Sequence, residues 1–228
     1  MPDKDLLGAI TTIVSVFIGG ALSTLTTYYL GRIEKRRLAQ QDAMRLFVSL
    51  HRMCNEVLSI SNSILESTQN REPNDHREFW QVIQPIVGLG ACLPRLENQG
   101  ISIITEKSPS FVIELLELES GYTFLHDLVF RYGVLRSDLK PDTMEMKGGQ
   151  IGETGFNRTP ANMILIQNVR SLADALVNTA SDLTLRATKT IEKLSQEFLK
   201  LGFHVPKLVI DRSVFPTIAE HTPPHPQP

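Results

Sequence analysis

Residues 6–37 read LLGAITTIVSVFIGGALSTLTTYYLGRIEKRR. Leu6 to Leu30 contains no Asp, Glu, Lys, Arg or His, and four basic residues then fall within 32–37. At ~1.5 Å per residue, a helix over 6–30 spans roughly 37 Å. A bilayer's hydrocarbon core is ~30 Å thick and takes about 20 residues to cross. The stretch is long enough to cross with tilt, so it reads as a single transmembrane helix over residues 6–30. Thr and Ser recur along it. Their hydroxyls can bond back to carbonyls one turn earlier, which lowers the cost of placing them in lipid. A cleaved signal peptide is the main rival. Ala21-Leu22-Ser23 offers small residues at a cleavable spacing, but the start, MPDKD, sets one Lys against two Asp. Secretory signals begin basic and have a shorter apolar core, whereas here the apolar run continues through Leu30. A buried helix of a soluble domain is the third reading.

Charge sets the orientation. Residues 1–5 carry a side-chain charge of −1, and Arg32, Lys35, Arg36 and Arg37 against Glu34 sum to +3. Basic residues close to a span stay cytoplasmic. Residues 1–5 are therefore expected outside the cytoplasm and the C-terminal domain inside, at a plasma membrane or a bacterial inner membrane. Tyr28 and Tyr29 precede the basic cluster, where amphipathic rings favour the membrane interface. Tyr28, Tyr29, Arg32, Lys35, Arg36 and Arg37 are thus assigned to interface and topology, with membrane lipid as the first expected partner. Within the span, Ser15, Gly19 and Ser23 recur at four-residue spacing and share one face. Small residues so placed let two helix backbones approach closely, which makes this the candidate helix-packing face of a homo-oligomer.

The remaining chain is long enough for one domain of ordinary size, since the protein has 228 residues in all. After Arg37 it carries 18 basic and 22 acidic residues, a balance that argues against nucleic acid as a partner. Two cysteines, Cys54 and Cys92, make no disulfide framework, and reduced thiols fit a cytoplasmic domain. Asn157-Arg158-Thr159 is a formal glycosylation acceptor that this topology leaves unmodified.

Helical periodicity dominates residues 31–202, and the expected fold is all-α: an antiparallel bundle of about four helices. Ala43, Phe47, Leu50, Cys54, Val57, Ser61 and Ile64 alternate at three and four residues, a heptad-like seam. Leu46, Met53, Leu58 and Leu65 widen it, and the span is expected to run straight into this helix. A second helix is expected from Asn74 or Asp75, with Phe79, Trp80, Val82, Ile83, Ile86 and Val87 as its apolar surface. Pro85, which lacks an N–H, should kink it or start a new turn. Ile101 to Thr105 reads as a connector or a strand. Ser108 and Pro109 signal the start of a third helix, which Gly121 and Gly133 weaken without ending. A connection over 140–160 follows, and a loop that long is functional or disordered. The last helix is expected from Ala161 to Leu201, with its seam through Ile166, Val169, Ala173, Leu176, Ala180, Leu183, Ala187, Thr190, Leu194 and Leu201. Gly202 is its stop. Residues 203–228 form an extended, Pro-rich tail.

The sequence holds no GxxxxGK[ST] loop, HExxH, GxSxG or CxxC, and no His follows a Glu by three residues, which removes the di-iron bundle sites. Three weak constellations remain. His51 and Cys54 lie three apart on one face, but Cys54 belongs to the core seam. Glu114, Glu117, Glu119, His126 and Asp127 share one helix, but alternate with apolar residues as on a solvated face. Lys147 with Gly149, Gly152 and Gly155 lies between two helices, where a phosphate loop would follow a strand. No catalytic, metal or cofactor residue is assigned, and the sequence argues against an enzyme.

The expected function is a membrane-anchored, non-enzymatic scaffold or signalling protein that self-associates. Residues 140–160 or the Pro-rich tail would meet a protein partner, since loops carry recognition. The alternative is an oligomeric effector whose spans assemble a pore or disrupt the bilayer under control of the cytoplasmic bundle.

Overall fold

The computed structural model describes residues 3–69, 77–86, 94–105, 107–139 and 159–206, with side chains of the first stretch from Ser15 onward. Among these residues the fold is all-helical: α1 (Asp3–Gln69), α2 (Phe79–Val82), α3 (Asn98–Thr105), α4 (Pro109–Asp138) and α5 (Pro160–Lys200). The expected connection over 140–160 lies almost wholly outside the described residues, as do residues 207–228 of the tail, Asn74, Asp75, Val87, Cys92, Lys147 and Asn157.

The first helix runs unbroken for 67 residues, so the apolar stretch does continue straight into the bundle. Its seam is the expected one. Ala43, Leu46, Phe47, Leu50, Met53, Cys54, Val57, Ser61, Ile64 and Leu65 are buried, Leu58 is half-buried, and Ile60 joins them. On α5 every expected seam residue from Val169 to Leu194 is buried, and Ile166 and Leu201 pack partly against the core.

Cross-links between helices give the directions. Cys54 Sγ donates to the Ala187 carbonyl and Ser61 Oγ to that of Ala180, so α1 and α5 are antiparallel. Lys193 pairs with Glu114 at 2.6 Å, and Ser108 Oγ donates to Glu197 at 2.8 Å. Hence α4 is also antiparallel to α5, and parallel to α1. The fourth side returns through α2 and α3, the broken member of an up-down-up-down bundle.

That second helix is where expectation and structure part. It is a single turn that stops at Val82, with Ile83 extended. The residue before a proline is pushed away from helical angles, so Pro85 ends the helix ahead of Gln84 instead of kinking it. Trp80, Val82 and Ile83 are nonetheless buried. Ile101 to Thr105 is neither connector nor strand but part of helix α3. Gly100 lets α3 approach: a Cβ there would stand 2.4 Å from Leu46 Cβ. Ser108 occupies the cap position of α4, yet its hydroxyl makes no cap bond and serves Glu197 instead.

The last helix ends as the sequence foretells. Gly202 has φ of +75°. Its N–H donates to Leu199 O at 3.0 Å, and that of Phe203 donates to Phe198 O at 2.9 Å. The pair is a Schellman closure, with the usual hydrophobic contact made by Phe198 and Phe203 rings at 6.1 Å.

Packing begins only near Ala39. Among the described residues no helix is long and apolar enough to cross a membrane. The transmembrane helix expected over 6–30 is not supported by that measure; its residues 6–14 lie outside the described side chains.

Candidate functional site

The most unusual region is the projecting part of α1. Every residue from Ser15 to Leu30 is exposed, on all sides of the helix. Phe17 is 76% exposed and Leu22 59%. Large apolar side chains and Ser or Thr hydroxyls alternate around it, and none of them is buried by the rest of the described chain. Three of its hydroxyls bond inward: Thr24, Thr26 and Thr27 each donate to the carbonyl four residues earlier, at 2.8–2.9 Å.

Ser15, Gly19 and Ser23 sit on this projection, and a Cβ placed on Gly19 would meet nothing within 4 Å. The face is open to a neighbour, and the described residues place none there. Tyr28 and Tyr29 meet edge to face, with ring centroids 6.0 Å apart. Arg32, Lys35, Arg36 and Arg37 are exposed where the projection meets the bundle. Arg36 reaches the end of α5, its Nη2 3.6 Å from where a Cβ on Gly202 would stand. A cation there meets the negative end of a helix dipole.

The weak chemical constellations disperse. Asn55 lies 3.3 Å from His51 Nε2, while Cys54 turns into the core, where burial pushes its thiol up to about 12. Glu114 pairs with Lys193 on α5, Asp127 pairs with Arg131, and Glu119 accepts from the Leu96 N–H. His126 Nε2 is buried with no hydrogen-bond partner among the described residues. Three or more His, Cys, Asp or Glu side chains converge nowhere among the described residues as a metal site would require. Open depressions mark the surface of the described residues, two of them lined by charged side chains. The larger, about 500 Å³, brings Glu66 and Arg77 beside serines and Pro85. The other, about 370 Å³, sets Arg45, Arg52 and Arg95 around Met44 and Val48, with Glu97 at its edge.

Sequence reasoning missed a set of polar links that hold the bundle together. The Tyr122 hydroxyl donates to Glu56, tying α4 to α1. Burial, more than the carboxylate, raises the pKa of that phenol. Tyr132 Oη lies 2.7 and 2.8 Å from the carbonyls of Trp80 and Ile83, and Arg136 donates to those of Trp80 and Gln81. These two side chains take up carbonyls that a one-turn helix leaves unpaired. Glu78 accepts from Trp80 Nε1 and from Arg170. The Arg170 hydrogen bond holds its carboxyl below the usual range. Only the Tyr132–Arg136 spacing hints at any of this in the sequence. Tyr132→Phe should cost about 2 kcal/mol, because the Ile83 carbonyl loses its donor while that of Trp80 keeps Arg136; chemical denaturation of the full chain reads it. A change within ~0.5 kcal/mol would show that water replaces the hydroxyl.

Comparison of the chain with models of known protein families, with curated proteins and with solved structures finds no match.

Proposed function

We propose that this chain is a membrane-anchored, non-enzymatic interaction protein. Residues 6–30 cross a bilayer, residues 1–5 lie outside the cytoplasm, and the helical bundle acts inside it as a self-associating scaffold or signalling module. The observation that carries this reading is the projecting stretch of α1 from Ser15 to Leu30, exposed on every side with Val16, Phe17, Ile18, Leu22 and Leu25 among its exposed residues, and a basic cluster at its base. The Thr hydroxyls, bonded to their own helix, suit a lipid-facing surface. That favours an anchor over the alternative of a pore-forming effector, whose polar groups would turn to a wet lumen.

Fractionation with protease protection tests it, using tags at both ends of the full chain. The expected result is a carbonate-resistant membrane protein. Protease added outside sealed cells should remove the N-terminal tag and spare the C-terminal one. A chain recovered in the soluble fraction would overturn the anchor, both tags protected would overturn the crossing, and loss of the C-terminal tag with the N-terminal one spared would overturn the orientation.

A further inference from the structure

We propose that the depression between α1 and the segment leading into α3 binds a soluble organic phosphate of mononucleotide size, a nucleoside phosphate. Its volume of about 370 Å³ lies within the ~300–1,000 Å³ of small-molecule sites. Three guanidiniums reach it from two walls. Arg45 and Arg52 stand on α1, seven residues apart, so they share a face at a separation of ~10.5 Å along the axis. Arg95 belongs to the other wall. That wall is fixed, because the next residue, Leu96, is buried and its N–H donates to Glu119 of α4 at 3.0 Å.

The charges there lack partners of their own. Among the described residues Arg52 and Arg95 make no ion pair or hydrogen bond. Arg45 stands 3.7 Å from Asp42, too far for a hydrogen bond. Three arginines against Glu97 give the depression +2, in a domain where 18 basic and 22 acidic residues give −4. The adjoining stretch 87–93, VGLGACL, carries no charge that could neutralise them. The site is thus a local positive spot on an acidic domain, which gathers anions.

The rest of the lining chooses among anions. Guanidinium forks match phosphate oxygens bidentately. Met44, Val48 and Pro94 set apolar surface beside them, which inorganic phosphate would leave uncovered and a planar base would cover. Glu97 repels further phosphate at its end of the depression and is an acceptor for a ring amino group. An acidic peptide fits poorly, since α1 contributes only Met44 to Arg52, about 12 Å of helix. Depth argues against a lipid headgroup, and this step alone rests on the membrane-anchored reading. Because α1 is unbroken, Arg45 and Arg52 lie ~12 and ~22 Å beyond Arg37, whereas the headgroup layer of a leaflet is about 5–8 Å thick.

The test uses the full chain in neutral detergent, with the fluorescence of trinitrophenyl-ATP as the probe. Saturable binding that ATP displaces is expected. Pyrophosphate, and dihexanoyl phosphatidylserine held below its micelle concentration, should each compete at least about tenfold more weakly than ATP. Arg52→Gln with Arg95→Gln should weaken binding at least about tenfold, since charge-assisted hydrogen bonds are lost. Arg131→Gln, an exposed arginine paired with Asp127 on α4, should leave it unchanged. Circular dichroism checks the fold; should the double variant lose helix, Arg45→Gln takes its place, with a loss of at least about threefold. No saturable binding, or equal binding in the folded variant, would overturn the proposal. So would pyrophosphate competing as well as ATP, which leaves a bare anion patch, or the lipid competing as well, which assigns the arginines to a headgroup. A chain found outside the membrane fraction withdraws the anchor reading alone, because nucleotide binding is read without a bilayer.

Discussion

Phe198→Ala is expected to destabilise the bundle by about 4 kcal/mol, within the range for emptying a fully buried aromatic site. Phe198 has no exposed surface and sits three residues before the cap of α5, where its carbonyl accepts the Phe203 N–H and its ring meets that of Phe203. Its loss opens a cavity and unseats the helix closure together. The same end holds the chain's exit from α5, where Gln40 of α1 donates to the His204 carbonyl at 2.8 Å, so the defect lies where α1 meets the bundle. For a domain of this size each kcal/mol moves the melting point by ~2–4 °C, giving a fall of roughly 8–16 °C in detergent-solubilised full chain. Leu199→Ala, next door but 60% exposed, should stay within ~0.5 kcal/mol. Equal effects from the two variants would mean that the closing motif is not packed as described.

The two long seams were legible because each is a local rule repeated many times. Cys54, Ser61, Ala173 and Ala180 could be placed in the core although none is strongly apolar, since their neighbours at three and four residues fix the phase. The Gly202 stop was legible because a left-handed angle favours glycine. The broken second helix was not. Its apolar residues are buried as expected, but burial does not require a helix, and Pro85 removed the geometry that periodicity assumed. What replaces that helix is supplied from 49 or more residues away, by Tyr132 and Arg136, and no local pattern announces such a link. Glu56 with Tyr122, separated by 66 positions, is invisible for the same reason.

The two faces of α4 failed differently. Periodicity reports that a helix has apolar residues at intervals of three and four; it does not report how many separate faces they make. Leu115, Leu118, Tyr122 and Leu125 form one face and Ile113, Leu116 and Phe124 another, and in the sequence the two interleave with Glu114, Glu117 and Glu119 into what looks like ordinary amphipathic alternation. Only burial separates them. The carboxylates that looked like one cluster point to α5, to solvent and to the Leu96 N–H.

Ile18→Arg combined with Leu22→Arg is expected to abolish membrane retention. Both positions are exposed on the projecting helix, at 55% and 59%, and both fall in the middle of the 6–30 stretch. An arginine near the centre of a span costs about 3 kcal/mol, and each replaced Leu or Ile forfeits a further ~0.5. The pair therefore costs about 7 kcal/mol, on the order of 10⁵ in the partition between bilayer and water. The two readings of this helix part cleanly here. If it stood in solvent, arginine would serve as well as leucine or isoleucine, being at least as good a helix former, and the variant would match the wild type in location and gain solubility. If it crosses a bilayer, the variant should move from the carbonate-resistant pellet to the soluble or aggregated fraction. Leu38→Arg is the control: it lies on the same helix beyond the basic cluster, is 53% exposed, and should remain membrane-bound because it never enters the hydrocarbon. A double variant still embedded, with its N-terminal tag still accessible from outside, would show that another part of the chain holds the membrane, since two charges at mid-depth leave this helix too little apolar surface to do so.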